Sequence, residues 1–209
     1  MPRNWLSFYE KEVVRLGPGI PNRKEPDWTS KRVLGSNPRF GFFTVEDFLA
    51  ANIPLDCSQG GHWIYGPKHP FDCIRGGLSQ GCNVGVLTGR ISGNLHILDY
   101  DLQKVLGSQE KARDWRKAHL DDLRSLRTWI TLTISGGIHI WLRASSLERI
   151  HNFIESEQRK RNWELDLTLG RELIRSENGW VVVPPSMVNG HSYFFLDNLN
   201  GLSIRNLDQ

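Results

Sequence analysis

Two aspartates interrupt an otherwise apolar strand pattern in residues 94–101. Alternation with period two predicts a β-strand that carries Leu95, Ile97, Asp99 and Asp101 on one face. Two carboxylates on neighbouring positions of one face repel each other and lose hydration when buried, so their pairing favours a bound cation. Mg²⁺ and Mn²⁺ prefer such oxygen ligands. The alternative is that the strand emerges into water at Asp99 and leaves both carboxylates solvated.

A predicted hairpin offers a second group of polar side chains. Gly136-Gly137 joins strands predicted over residues 129–135 and 138–143, and such a glycine pair is typical of a tight hairpin. Alternate apolar residues form the core face of the second strand, so His139 lies on the opposite face, beside Ser135. A ligand phosphate could contact both side chains. The alternative is that His139 is a residue of a polar face without a ligand.

A third acidic position follows in the strand predicted over residues 163–169. Its alternation places Glu164, Asp166 and Thr168 on the outward face. The same pattern fits an amphipathic edge strand with one wet face. Further along the chain, residues 179–186 predict a buried strand that is stopped by two prolines.

A segment rich in Gly, Pro, His and Cys spans residues 53–81 and lacks sustained periodicity, which predicts a long irregular excursion. Cys57, His62, His69 and Cys73 within it are ligand types that tetrahedral zinc takes. Their spacing matches no standard zinc finger, because no close Cys-x2-Cys pair is present. A structural zinc site and the alternative of buried thiols with surface histidines both stay open.

The remaining elements follow from local periodicity. Apolar residues at three- and four-residue intervals predict helices over residues 4–16, 108–126 and 147–161. Residues 83–89 predict a short strand that forms a hairpin with the strand at 94–101. The second helix has a basic face that could meet a nucleic-acid backbone, although interleaved aspartates favour a solvated face. Its cations are Lys111, Arg113, Arg116, Lys117, Arg124 and Arg127.

Composition sets broad limits on the class of protein. The chain has 209 residues, of which 39% are hydrophobic and 23% charged, enough for one domain with a sizeable core. A net charge of +3 permits a nucleic-acid partner but does not require one. Three cysteines do not suggest a disulfide framework, and no apolar run is long enough for a signal peptide or a membrane span. We therefore expect a reduced, cytoplasmic protein without a membrane partner.

The order of these segments resembles the prim-pol family, the bifunctional DNA primase/polymerase domains within the archaeo-eukaryotic primase superfamily. No single motif is decisive, but five in sequence order are hard to obtain by chance. They are Asn-Val-Gly-Val-Leu-Thr-Gly, Ile-Leu-Asp-Tyr-Asp, Thr-Ile-Ser-Gly-Gly-Ile-His, Leu-Asp-Leu and Val-Val-Val-Pro-Pro-Ser. The segment from Ile20 to Trp28 also looks like the family's N-terminal proline-rich stretch, so the resemblance covers about residues 5–195.

The resemblance implies an α/β (α+β) fold. An RRM-like antiparallel sheet would form the catalytic core and pack against a smaller N-terminal α/β module. We expect one prim-pol domain over residues 1–209, with an N-terminal module at 1–82, a catalytic core at 83–196 and a tail at 197–209. The implied activity is template-directed nucleotidyl transfer, as a primase and/or DNA polymerase, in the replication or repair of a plasmid, phage or mobile element.

The resemblance also implies roles for particular residues. Asp99, Asp101 and Asp166 correspond to the catalytic, metal-binding carboxylates for two Mg²⁺ or Mn²⁺ ions. Ser135 and His139 correspond to the nucleotide-binding hairpin. Arg171 and Arg175 are candidate cationic assistants at the phosphates. The implied partners are a single-stranded DNA template and primer, dNTP and/or rNTP, and a helicase or other replication protein.

Two departures from the family pattern leave alternatives open. Residues 171–178 look like an insertion between the third acid and the Val-Val-Val-Pro-Pro-Ser segment, and Glu164 competes with Asp166 as the third ligand, although we favour Asp166. Clustered carboxylates also occur in metal-dependent nucleases. A non-catalytic module that binds single-stranded DNA or a replication origin is the third possibility.

Overall fold

The structure is a computed structural model that describes residues 8–9, 11–12, 14–19, 83–161, 174–177 and 179–209. The strands are β1 (Arg15–Gly19), β2 (Asn83–Leu87), β3 (Leu95–Tyr100), β4 (Ile130–Leu132), β5 (Ile138–Arg143), β6 (Ile174–Arg175), β7 (Trp180–Val183), β8 (Met187–Val188), β9 (His191–Ser192), β10 (Phe194–Phe195) and β11 (Arg205–Asn206). The helices are α1 (Leu102–Leu106), α2 (Gln109–Ala118), α3 (Leu120–Ser125) and α4 (Leu147–Arg161).

The larger sheet has the strand order β10-β4-β5-β3-β6, and all of these neighbours pair antiparallel. Strand β11 pairs with the end of β5 in parallel orientation. The two longest strands, β3 and β5, lie side by side at the centre of the sheet. Both are rich in apolar residues, as suits strands that are buried on both faces. A separate hairpin is formed by β8 and β9.

Helices cover one face of the larger sheet. The side chains of Leu98, Ile138 and Ile140 on that face are buried with Ala112 of α2 and Ile150 of α4. Leu123 and Leu126 belong to the same core. The apolar face of each helix therefore packs on the sheet, and its charged face stays in water.

A second sheet covers the other face. It has the order β1-β2-β7, and both of its strand pairs are antiparallel. Valines of β2 and β7 share one core with Leu95 and Ile97 of β3. An aromatic cluster fills the same layer: Tyr9, Trp129, Trp141 and Phe195 have ring centroids 5.5 to 6.2 Å apart.

Several predictions from periodicity are confirmed. The helix over 147–161 forms with those bounds, and the predicted strand pair around Gly136-Gly137 is the β4-β5 hairpin. The strand that ends at the two prolines is β7. The architecture is mixed α and β with antiparallel sheets, which confirms the α+β expectation at that level.

Three predictions about local structure are wrong. The residues of β2 and β3 do not form a hairpin, because a 3-10 turn at Arg90–Ser92 carries the chain from one sheet to the other. The helix predicted over 108–126 is divided at His119, whose backbone N–H caps α2 by donating to the Trp115 carbonyl at 3.0 Å, with ring Nδ1 donating to the same carbonyl at 2.9 Å. The helix predicted to reach Leu16 gives way to strand β1.

No helix in the described part of the chain is long and apolar enough to cross a membrane.

Candidate active site

Asp99 and His139 face each other across the two central strands. Their Cα atoms are register partners in the β3-β5 pair, and His139 Nε2 lies 3.4 Å from Asp99 Oδ1. Thr131 of β4 is the partner of His139 on its other side. Residues opposite one another in adjacent strands project to the same face. The pairing of β3 with β5 is therefore sufficient to bring the Asp99 carboxylate and the His139 imidazole together.

Asp99 also contacts a guanidinium. Arg175 of β6 places Nη2 3.3 Å from Asp99 Oδ2. Burial raises the pKa of the Asp99 carboxyl, but hydrogen bonds and charges from His139 and Arg175 outweigh that effect and hold the pKa at about 2. Asp99 is therefore ionised and half-buried, a condition that suits a ligand of a cation.

Asp101 lies just beyond the strand and not on it. Strand β3 ends at Tyr100, and Asp101 is the N-cap of α1, with its Oδ1 accepting a hydrogen bond from the Lys104 backbone at 3.3 Å. The prediction that Asp101 shares a strand face with Asp99 is thus wrong. The physical reason is that an aspartate satisfies the free N–H groups of a helix start better than it extends a strand. The second carboxylate still stands two residues from Asp99, at the same end of the sheet.

The turn between β4 and β5 holds Ser135 at this end. Thr133 N donates to Gly137 O at 2.9 Å, and Gly136 has φ +90, a left-handed value that favours glycine. A Cβ atom at Gly137 would clash with the Tyr100 carbonyl oxygen, so this glycine allows the turn to approach the end of β3. Thr133 and Ser135 hydroxyls lie 3.5 Å apart. The turn therefore presents Ser135 beside the strand end that carries Asp99.

His139 has one nitrogen that the fold leaves unsatisfied. The residue is 5% exposed, and its Nδ1 has no hydrogen-bond partner among the described residues. The prediction of a polar strand face for His139 is wrong, because the second sheet covers that face and Trp141 beside it is fully buried. A buried nitrogen without a partner carries an energetic penalty that a ligand group hydrogen-bonded to it would remove.

Tyr193 is a neighbour of the site that periodicity did not reveal. Its ring centroid lies 6.0 Å from that of His139, and it is buried. Burial and the nearby charge of Asp99 both raise the pKa of its hydroxyl, so Tyr193 stays neutral. A tyrosine just before a two-residue strand gives no sequence signal, because only the pairing of β10 with β4 brings it to His139.

Ser186 connects this wall of the site to the second sheet. Its hydroxyl accepts from Val84 N at 2.7 Å and donates to Val84 O at 2.8 Å, and its own carbonyl accepts from Tyr193 N at 2.9 Å. Tyr9 donates its hydroxyl to Pro184 O at 2.8 Å. The Val-Val-Val-Pro-Pro-Ser segment thus helps to fix the position of Tyr193.

Strand β6 is short, and side chains around it hold Arg175 in place. His96 Nδ1 lies 2.9 Å from the Ser176 hydroxyl, and Thr88 donates its hydroxyl to the Ser176 carbonyl. Glu177 accepts from Arg90 N at 2.9 Å. These contacts secure a two-residue strand that could not be stable alone.

Comparison with known proteins assigns the family. The family model described as bifunctional DNA primase/polymerase, N-terminal, matches residues 52–208, which is about three quarters of the chain. The chain belongs to the prim-pol family. No curated protein matches it.

The prim-pol match covers every residue of the candidate site, but the structure describes only part of that set. Asp99, Asp101, Ser135, His139 and Arg175 lie together at one end of β3 and β5. The others lie outside the described residues: Asp166, Glu164, Arg171, Cys57, His62, His69 and Cys73. Among the residues that are described, no three His, Cys, Asp or Glu side chains form a group that could hold a metal ion.

Proposed function

We propose that this prim-pol chain catalyses template-directed nucleotidyl transfer, as a primase and/or DNA polymerase. Its substrates would be a single-stranded DNA template, a primer where present, and dNTP or rNTP. The observation that carries the proposal is the contact between Asp99 and His139, with Asp101 two residues further on, in a chain of this family. We expect this activity to serve the replication or repair of a plasmid, phage or mobile element.

The acidic side chains have the chemistry that divalent ions require. Asp99 is ionised and half-buried, and Asp101 uses one oxygen to cap α1, which leaves its other oxygen for a ligand. Asp166 would complete the set, with Glu164 as the alternative. Two Mg²⁺ or Mn²⁺ ions held there would activate the attacking 3′-hydroxyl and neutralise the triphosphate.

The basic and hydroxyl side chains would bind the phosphates. His139 Nδ1 has no hydrogen-bond partner within the described structure, and a phosphate oxygen would be its partner when the ring carries a proton on both nitrogens. Ser135 stands on the adjoining turn, where its hydroxyl could donate to the same phosphate. Arg175 is half-exposed and lies 3.3 Å from Asp99, so its guanidinium could also donate to a phosphate bound beside the carboxylates. Arg171 would assist from the neighbouring segment.

The fold supports a more specific architectural proposal. Five antiparallel strands with helices on one face fit an RRM-like core. The second sheet recruits β1 from the start of the chain, as a packed N-terminal module would. We further propose that Cys57, His62, His69 and Cys73 hold a structural zinc ion, and that a helicase or other replication protein acts with this chain. Metal analysis of untagged protein would test the zinc site.

The test measures incorporation of labelled dNTP on a single-stranded template, with and without an annealed primer, in Mg²⁺ and in Mn²⁺. We expect product from wild type and less than about a tenth of its rate from Asp101→Ala, because removal of a metal-binding carboxylate removes the transition-state contact. Asp114→Ala, which removes an exposed carboxylate of α2, is the matched control and should retain full activity. Circular dichroism would show that each variant is folded.

The possible outcomes separate the proposal from its competitors. Product without a primer would make the protein a primase, and product only with a primer would make it a polymerase. No incorporation by folded wild type under any condition would refute the proposal. Degradation of labelled single strands in Mn²⁺ without nucleotides would then indicate a nuclease.

A further inference from the structure

Six of the eight described arginines beyond residue 120 have a carboxylate partner, and Arg127 and Arg205 have none within 4.0 Å among the described residues. Arg124 pairs with Asp197, Arg149 with Asp208, Arg159 with Glu155 and Arg161 with Glu157, at 2.7 to 3.4 Å. Helix α2 differs. Within the described part of the chain, no carboxylate oxygen lies within 4.0 Å of the charged nitrogens of Arg113, Arg116 or Lys117.

These three cations share one flank of α2. Their spacing of three and four residues places them on neighbouring turns of one side of a helix. Arg113 and Lys117 are exposed, and Arg116 is half-buried. Partial burial and the nearby charge of Arg113 both lower the pKa of Arg116. A bound anion would relieve this repulsion.

The cationic flank begins next to the candidate active site. Gln109, one turn before Arg113, donates Nε2 to the Ile134 carbonyl at 3.1 Å, in the turn that carries Ser135. A Cβ atom at Gly136 of that turn would lie 2.9 Å from Ala112 Cβ, so helix and turn are in close contact. One helical turn rises about 5.4 Å, so Arg113 stands about that distance along α2 from the residue that contacts the turn.

Two carboxylates border these cations on the same side of α2. Glu110 lies three residues before Arg113 and Asp114 three residues before Lys117, whereas Lys111 is exposed on the far side from Arg113, at 100° per residue. The basic stripe of Arg113, Arg116 and Lys117 outnumbers these two carboxylates, so this side of α2 keeps a net positive charge as it leads away from the Ser135 turn. A chain of phosphates spaced along one strand of nucleic acid is complementary to such a stripe.

We propose that Arg113, Arg116 and Lys117 bind the phosphate backbone of the single-stranded template. The inference rests on the proposed function, since it assumes that the template strand is copied at the site of Asp99 and His139. The sequence alone favoured a solvated face for this helix. The structure changes that interpretation because it pairs Arg124 with Asp197 and leaves Arg113, Arg116 and Lys117, on one side of α2, without a carboxylate within 4.0 Å among the described residues.

The test measures binding of a fluorescent single-stranded oligonucleotide by anisotropy over a series of NaCl concentrations, without nucleotide or divalent metal. The variant is the double substitution Arg113→Gln with Lys117→Gln. Each phosphate contact on a single strand contributes about 0.7 to the slope of log K against log salt. We expect the slope to fall by about 1.4 and the affinity at 0.15 M salt to fall about tenfold.

Two control variants make the result specific. Arg159→Gln with Lys160→Gln removes the same charge from an exposed part of α4, and Lys111→Gln removes a cation from the other side of α2. Both should keep the wild-type slope. If either control weakens binding as much as the stripe variant, or if the stripe variant keeps the wild-type slope, the proposal is overturned.

The design also separates this inference from the proposed function. The stripe variant could show a smaller salt slope while the wild-type protein incorporates no nucleotide. That result would refute the proposed function and support the binding stripe. If the wild-type protein incorporates nucleotide and the stripe variant keeps the wild-type affinity for DNA, the inference alone is refuted.

Discussion

Replacing Asp99 by asparagine should make the protein's stability less sensitive to acid. The pKa of Asp99 falls from 3.8 to about 2 in the folded state, because His139 and Arg175 favour the carboxylate more than burial disfavours it. A group whose pKa is depressed by folding stabilises the native state above the unfolded pKa and loses that contribution as the pH falls. The window for this loss therefore runs from about pH 4 down to about pH 2.

The magnitude follows from the shift. A change of almost two pKa units corresponds to about 2 kcal/mol at neutral pH. About 1 kcal/mol of that contribution disappears between pH 7 and pH 3, since the folded carboxyl is still mostly ionised at pH 3 while the unfolded one is mostly protonated. Asp99→Asn cannot titrate, so its free energy of unfolding should fall by about 1 kcal/mol less than that of wild type over the same range.

The assay is urea unfolding followed by circular dichroism at pH 7, 5, 4 and 3, with EDTA present so that metal binding does not contribute. Asp114→Asn serves as the control, because its exposed carboxylate has no ion-pair partner in the described structure. The reasoning is refuted if Asp99→Asn and wild type lose equal stability between pH 7 and pH 3. It is also refuted if the control reproduces the effect of Asp99→Asn.

Two further predictions concern residues that support the site. Ser186→Ala should lower the free energy of unfolding by about 1 to 3 kcal/mol, because both backbone groups of buried Val84 lose their partner; urea denaturation would check this, and an unchanged midpoint would contradict it. Tyr193→Leu should raise the KM for nucleotide more than it lowers kcat, because the ring beside His139 is lost. Tyr193→Phe retains the ring and should behave like wild type in the same steady-state assay, so an equal defect in both variants would refute a packing role.

Sequence periodicity was sufficient where an element is long and its neighbours are close in the chain. Helix α4 and the β4-β5 hairpin formed as predicted because fifteen residues of helical pattern and a Gly-Gly turn are strong local signals. The β2-β3 hairpin failed because the true partners of β2 are β1 and β7, which lie far away in sequence. No local pattern encodes such a choice of partner.

The site was predictable as a set of residue types and less so as a geometry. The order of motifs made Asp99 and His139 candidates, and the structure places them in contact. The position of Asp101 depended on whether a helix or a strand follows Tyr100, which alternation over two residues cannot decide. The neighbourhood of Tyr193 depended on tertiary pairing, so it had no sequence signal. The third acid, Asp166, stays a prediction.

The two sheets differ in the sequence separation of the segments that they bring into contact. The β4-β5 hairpin closes over a few residues, whereas Ser186 and Val84 are 102 residues apart, and Tyr9 and Pro184 are 175 apart. Contacts between distant segments form slowly because a long loop must close before they are rewarded. We therefore expect the hairpin that carries His139 to form early in refolding and its covering sheet to form late. During that interval the imidazole would be open to water. We expect the backbone amides of β5 to become protected from hydrogen exchange before those of β2.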